Sequence, residues 1–203
     1  MNEMPAKLRD RAERKSAKRE EKKRLIAESA IKALMELGYA NTSLRDIAAK
    51  SDLSLGMLHY YFEDRSDLII YCVQRYKREF IGNIIETLRT AEGPEEVVET
   101  FAEALVVSII DDEMTHRLWY DIRAQSMFDA RFRPVVKEIE TMLIGIVETA
   151  YHRAGRPVPE NVAISYAMLD GAFRYFMQGQ ISETPRSRQE LKAALHTMLQ
   201  QFL

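Results

Sequence analysis

Apolar residues recur at intervals of three and four along almost the whole chain, the pattern of helices that each bury one face. Alternating runs bounded by turn dipeptides are missing, so the chain reads as all-α. From Glu20 onward, Leu25, Ile26, Ala30, Ala33, Leu34 and Leu37 form one stripe, halted by Gly38 at a C-cap position, which predicts a first helix over 20–37. Two short helices follow, then a long one over 65–90 that Glu92-Gly93-Pro94 ends. This glycine-proline pair is the strongest break in the chain and a candidate boundary. Further helices are predicted over 95–110, 115–127, 131–153, 160–179 and 187–202, making about nine.

The densest punctuation lies in residues 42–68, TSLRDIAAKSDLSLGMLHYYFEDRSDL. Ser43 with Asp46 three residues on has the form of a capping box, Ser54 can cap the next helix, and Asp64 the one after it. Leu44, Ile47 and Ala48 make an inward face, and small Ala48 admits a crossing helix. Leu53 fills the turn, while Leu55, Leu58 and Phe62 point into the same small core. Gly56, Met57, His59, Tyr60 and Tyr61 are left facing outward. Two short helices joined by a tight turn are the helix-turn-helix arrangement, whose second helix enters a DNA major groove. Water alone would be satisfied by Lys and Glu at those outer positions. Tyrosine hydroxyls can instead bond phosphate, Met and aromatic rings can pack on thymine methyls, and Gly56 permits close backbone approach. Bracing of neighbouring helices by Tyr60 and Tyr61 is the competing reading.

Charge sharpens this picture. The formal net charge is only -2. Residues 1–90, however, hold 18 Lys/Arg against 14 Asp/Glu, whereas residues 91–203 hold 11 against 17. Most of the basic excess lies between Lys7 and Arg24, where ten basic residues face four acidic ones. That density can pair with phosphate, with Lys18 and Lys22 as candidates, and a solvated helix face is the plain alternative. With 46% hydrophobic and 30% charged residues the chain suits a packed protein. Its longest apolar runs, such as Ala104 to Val107, fall far short of the ~20 residues a membrane span needs. The charged N-terminus lacks the features of a secretory signal, and the single Cys72 excludes an internal disulfide framework. These features together predict a cytoplasmic protein.

Residues 38–68 resemble the N-terminal domain of the TetR family of bacterial transcriptional regulators, through Gly38, Ser43, Arg45-Asp46-Ile47-Ala48, Ser54, Gly56, Leu58, Phe62 and Leu68. The resemblance implies a homodimer that sets two reading heads in successive major grooves of a near-palindromic operator, usually to block transcription. By position it implies that Ser43 holds a phosphate, that Arg45 reaches a base or phosphate, and that Leu55 to Tyr61 read bases. Thr42 and Ser54 join the candidate DNA contacts. Arg65 stands where the family usually has lysine, His59 where it has tyrosine, and Ser51-Asp52 where it has Ala-Gly. Asp tolerates the left-handed conformation that Gly would supply, so the turn can survive. The His59 change bears on operator sequence. The basic segment then reads as an arm along the DNA backbone or minor groove. This divides the chain into residues 1–66, arm and reader, and residues 67–203, a helical regulatory and dimerisation body.

In the body, Ala163, Ala167 and Gly171 recur every four residues, which lets a partner helix approach closely, and Leu191, Leu195, Met198 and Phe202 share a face of the last helix. Two such helices from each of two chains would make a four-helix bundle, unless both stripes only close the monomer's core. Trp119, Tyr120, Met127, Phe128, Phe173 and Phe176, with Arg123 among them, are candidate linings of a mostly apolar ligand site, which the resemblance places in this region. Core packing is the competing reading for each. A body serving only as a dimerisation or protein-partner module also stays open. No cofactor or metal site is expected, because His59, His116, His152 and His196 are scattered and no two glycines lie closer than eight residues, against Gly-rich phosphate loops. With no G-x-S-x-G elbow either, the sequence argues against an enzyme.

Overall fold

The computed structural model describes residues 6–38 and 42–203, with side chains from Arg14 onward. Among the described residues there are nine α-helices, one short 3-10 turn and no strand, so the fold class expected from the apolar period holds. The chain divides into two compact units, Met1–Cys72 and Val73–Leu203.

The first unit holds α1 (Ala6–Leu37), α2 (Leu44–Lys50), α3 (Leu55–Tyr61) and the first turns of α4 (Arg65–Arg89). α1 begins well before the expected Glu20. Residues 14–24 are nearly all good helix formers, and Arg24 pairs with Glu21 at 2.6 Å and with Glu28 at 2.5 Å, one turn to either side. Gly38, at φ +76°, ends the helix and donates its N–H to the Leu34 carbonyl at 2.9 Å. Ile26, Ala27, Ala30, Ala33 and Leu34 of α1 meet Leu44, Ile47 and Ala48 of α2, Leu58 and Phe62, and Leu68, Ile69 and Cys72 of α4 in one buried core. Leu25 and Leu37, expected in the same stripe, are exposed. Leu25 sits one position off the buried row, whereas Leu37 continues that row but is the last residue of α1.

Between α2 and α3, Asp52 adopts φ +54°, the left-handed conformation its side chain was expected to tolerate. Leu53 donates its N–H back to the Ala48 carbonyl at 3.2 Å, closing the six-residue ring of a Schellman turn.

The second unit is arranged around α5 (Pro94–Asp111), which packs on α6 (Glu113–Gln125), α7 (Arg133–Arg153), α8 (Val162–Gly179) and, most extensively, α9 (Arg188–Leu199). Eight α5 side chains are buried, among them Val97, Phe101, Leu105 and Ile109. Glu92-Gly93-Pro94 lies inside this unit: Gly93 turns the chain at φ +82°, donates to the Arg153 carbonyl at 3.0 Å, and sets Pro94 at the first helical position. α7 starts at Arg133 because Pro134 fits a first turn, and a 3-10 turn over Ala130–Phe132 leads into it. α9 opens with a Ser187–Glu190 capping box, and Lys192 ties it to Glu99 at 2.5 Å and Glu103 at 3.0 Å on α5. No described helix is long and apolar enough to cross a membrane.

The left-handed Asp52 supplies a stability test. Asp52→Gly removes the side-chain penalty and is expected to slow amide hydrogen exchange across α2 and α3. Asp52→Val, whose branched side chain resists positive φ, should destabilise these helices by about 1–2 kcal/mol and speed exchange.

Candidate nucleic-acid interface and a buried cavity

In the first unit, two serine caps fix where α2 and α3 begin. Ser43 accepts the Asp46 N–H, and Asp46 accepts from the Ser43 N–H at 2.8 Å and from its hydroxyl, the capping box read from the sequence. The Ser43 N–H and hydroxyl also hold the Asp46 carboxyl below its ordinary range. Ser54 accepts the Met57 N–H at 3.1 Å, and Asp64 caps α4 by accepting the Asp67 N–H at 2.9 Å.

α3 sorts its residues into two rows. Leu58 and the following Phe62 are buried. Gly56, His59 and Tyr60 are exposed, Tyr60 by 68%. Met57, Tyr61 and Leu55 are half-buried, so Leu55 sits at the edge of the core rather than in it. Tyr60 and Tyr61 meet edge to face at 4.9 Å. Arg45, Lys18 and Lys22 are exposed, and Arg65 is half-buried. Thr42 departs from expectation: its side chain is buried and its hydroxyl donates to the Gly38 carbonyl, so it closes the C-terminus of α1 instead of facing DNA.

The basic segment is not a loose arm where it is described. Arg19 lies over the rings of Tyr60 and Tyr61, 5.7 Å from each, and Lys23, one turn on, lies over Phe62 at 5.1 Å and Tyr71 at 5.4 Å. Tyr71 also donates to Glu20 at 2.9 Å. Arg19 and Lys23 were missed in the sequence, although their four-residue spacing continues the buried row of Ile26, Ala27 and Ala30. Lys7, Arg9 and Arg11 fall where side chains are not described.

The second unit encloses a cavity of about 490 Å³, counting its open mouth. α4 contributes Lys77, Phe80 and Ile84, α6 contributes His116, Trp119 and Tyr120, and α8 contributes Tyr166, Asp170 and Phe173, with apolar walls from α5 and α7. Lys77 is only 2% exposed, and its Nζ sits 3.1 Å from His116 Nδ1. Burial pushes the Lys77 ammonium down to about 7 and, aided by the Lys77 charge, holds the His116 ring far below its ordinary range, hence neutral. At the edge, Tyr120 donates to Asp170 at 2.9 Å, while Arg123 joins Asp170 and Glu140.

Of the candidate ligand-site residues, Trp119, Tyr120 and Phe173 line the cavity, and Arg123 reaches it through Asp170. Met127 and Phe128 do not: α6 ends at Gln125, leaving them 70% and 82% exposed. Phe176 packs on Tyr175 and beneath Arg186, away from the cavity. Lys77, His116, Tyr166 and Asp170 were missed. The available signal was a lysine within the apolar row Val73, Ile81, Ile84 and Leu88 of α4.

Ala163, Ala167 and Gly171 are exposed on α8, beside exposed Ile164, Met168 and Tyr175. Leu191 and Leu195, expected to meet a partner chain, are instead fully buried against their own protomer's α5, and Met198 and Phe202 are half-buried. The inward stripe of α9 closes the unit's core. Among the described residues no cluster of His, Cys, Asp and Glu could hold a metal ion.

Residues 26–72 match the family model described as bacterial regulatory proteins, tetR family. The chain is 23% identical over 160 residues to the HTH-type transcriptional regulator PksA of Bacillus subtilis, covering 75% of this chain and 77% of that one. It is 32% identical over 100 residues to an HTH-type transcriptional regulator of Staphylococcus aureus strain USA300, covering 49% of this chain and 53% of that one. It thus spans only about half the length of that relative. Among solved structures it is similar to the transcriptional regulator FadR of Bacillus subtilis in complex with stearoyl-CoA, with a TM-score of 0.66, 16% identity, and coverage of 88% and 98%.

Lys77 predicts a pH dependence. Folding lowers its proton affinity, so the buried ammonium destabilises the ligand-free protein fully below about pH 7, and the penalty fades as pH rises toward the ordinary lysine value near 10.5. Lys77→Met should therefore raise the thermal midpoint at pH 6, with the difference from wild type vanishing by about pH 10 in parallel melts.

Proposed function

From its membership of the TetR family of bacterial transcriptional regulators, we propose that this chain is a dimeric repressor that leaves a near-palindromic operator when a small molecule enters the cavity of its second unit. The observation that carries the DNA-reading half is the sorting of α3, with Leu58 and Phe62 anchored inward and His59 and Tyr60 open to solvent. A helix so held presents its outer side chains at fixed spacing, which base reading requires. Exposed Arg45, Lys18 and Lys22 supply cations for phosphates.

The ligand half rests on the cavity and on the continuity of α4. Residues 65–72 of that helix belong to the first unit and 73–89 to the second, so a molecule against Lys77, Phe80 and Ile84 touches the helix that follows the reading helix. Ligand and operator then weaken one another through a shift in population, each to the same degree. FadR, with the same fold, holds stearoyl-CoA, which accords with a ligand-holding body. For the homodimer, the exposed apolar face of Ala163, Ile164, Ala167, Met168 and Gly171 on α8 is the surface that needs a partner.

Selection of bound fragments from random DNA by the purified protein should yield an inverted repeat. Against that sequence, Arg45→Ala and Tyr60→Ala are each expected to cost about 1–3 kcal/mol, while Lys22→Ala should weaken all duplexes alike and reduce the salt slope by about 1. Equal, salt-sensitive binding to every duplex would sink the reading. Ala167→Glu should give monomers in sedimentation and lose operator binding with its fold intact. A dimer that survives this change would move the interface elsewhere.

A further inference from the structure

We infer that the cavity of the second unit takes an amphiphile with an anionic head, a carboxylate on an apolar body, whose head seats against Lys77. This rests on the ligand-holding role proposed above and adds the ligand's chemical class.

The argument counts donors and acceptors. In the charged state that an anionic head restores, Lys77 has only protons to offer, so His116 Nδ1 accepts from it and the imidazole proton resides on Nε2. Three further polar atoms of cavity-lining residues are buried without a partner: His116 Nε2, Trp119 Nε1 and the Tyr166 hydroxyl. With the ring in that tautomer, each can donate. Asp170, the carboxylate lining the cavity, already accepts from Tyr120 and from Arg123. Lys77 has cation–π contact with Phe80 at 4.8 Å and Trp119 at 5.2 Å, and among the described residues no carboxylate lies within ion-pair distance of it. Asp170 on α8 and Asp112 before α6 act on it from farther off, and Arg123 opposes them.

A cationic ligand would bring its charge against Lys77 in a poorly solvated space. A purely apolar one would leave the donors dry, a lasting cost for buried polar groups. A carboxylate supplies acceptor oxygens for several donors and the missing counter-charge, and the aromatic and aliphatic walls cover its tail. Binding also restores the Lys77 proton that burial had loosened, so at pH 8 it takes up a proton from solution.

The experiment titrates the purified 203-residue protein calorimetrically at pH 8, in two buffers of different ionisation heat, with octanoate, octanol and octyltrimethylammonium. A second set uses 4-butylbenzoate with its alcohol and quaternary-ammonium counterparts. The carboxylates should bind about tenfold or more tightly than their alcohols, with uptake of up to about one proton per site. Lys77→Met, shown folded by circular dichroism, should bind each carboxylate no better than its alcohol and take up no proton. The comparison among head groups on the wild-type protein stands even if that variant fails to fold. Silence from both carboxylates overturns the inference, as does an alcohol or ammonium that binds equally well, or a preference that survives Lys77→Met. Operator release is measured beside it. Binding through Lys77 with unchanged operator affinity would sink the regulatory reading alone, and release by a neutral or cationic compound only would sink this inference alone.

Discussion

A helix of seven residues cannot stand by itself in water, since isolated helices shorter than about 12–15 residues are marginal even with favourable sequences. α3 exists because Leu58 and Phe62 are pressed into a core built by α1, α2 and the first turns of α4. Burial of each such side chain is worth about 1.5–3 kcal/mol, enough to hold a short element in one rotation about its axis. That rotation decides everything the outer row can do. A turn of the helix by one residue would carry Tyr60 toward the core and Leu58 into solvent. The orientation of the outer row is thus a by-product of packing, and the Ser54 cap and the Asp52 turn serve to place it.

The basic face of α1 adds to this constraint. Arg19 above Tyr60 and Tyr61, and Lys23 above Phe62 and Tyr71, bring cations onto the aromatic side of α3. Such contacts are worth about 0.5–1 kcal/mol where exposed. Their larger effect is positional. Arg19 of α1 touches both tyrosines, with Tyr61 half-buried and Tyr60 keeping most of its surface free.

What the sequence made legible is what local rules decide. The apolar period placed eight of the helices within a few residues, the Ser43–Asp46 capping box is formed, and Asp52 holds the left-handed turn where a glycine is usual. The misreadings share another origin. A stripe such as Leu191 and Leu195 shows that a face is buried, but its sequence cannot say whether the covering surface comes from the same chain, and here it is α5. Met127 and Phe128 are as apolar as any lining residue and are exposed because α6 stops two residues earlier. Thr42 has a hydroxyl whose partner, the Gly38 carbonyl, depends on how the chain returns after α1. Lys77 was hidden because a lysine in a helix is ordinarily read as solvated, and only the tertiary fold brings His116 and Trp119 of α6 to its amine.

On the proposed ligand-holding role, Lys77 also connects stability to function. A buried ammonium without a counter-ion is among the costly things a marginally stable protein can retain, and an apolar residue of similar length would ordinarily pack better. Sites that bind are where such a cost is recovered, since binding energy can come from groups the empty protein leaves unsatisfied. On the ligand class inferred here, the strain of the empty cavity and the affinity of the filled one have the same source. Because that source sits on α4, which runs on from the segment after α3, relief of the buried charge falls on the element shared by both units. On the proposed mechanism, a ligand gripped only by α7 and α8 would bind without touching the helix shared with the first unit. Coupling requires that the favoured contact differ between two states of α4, and the uncompensated cation supplies a contact that can differ.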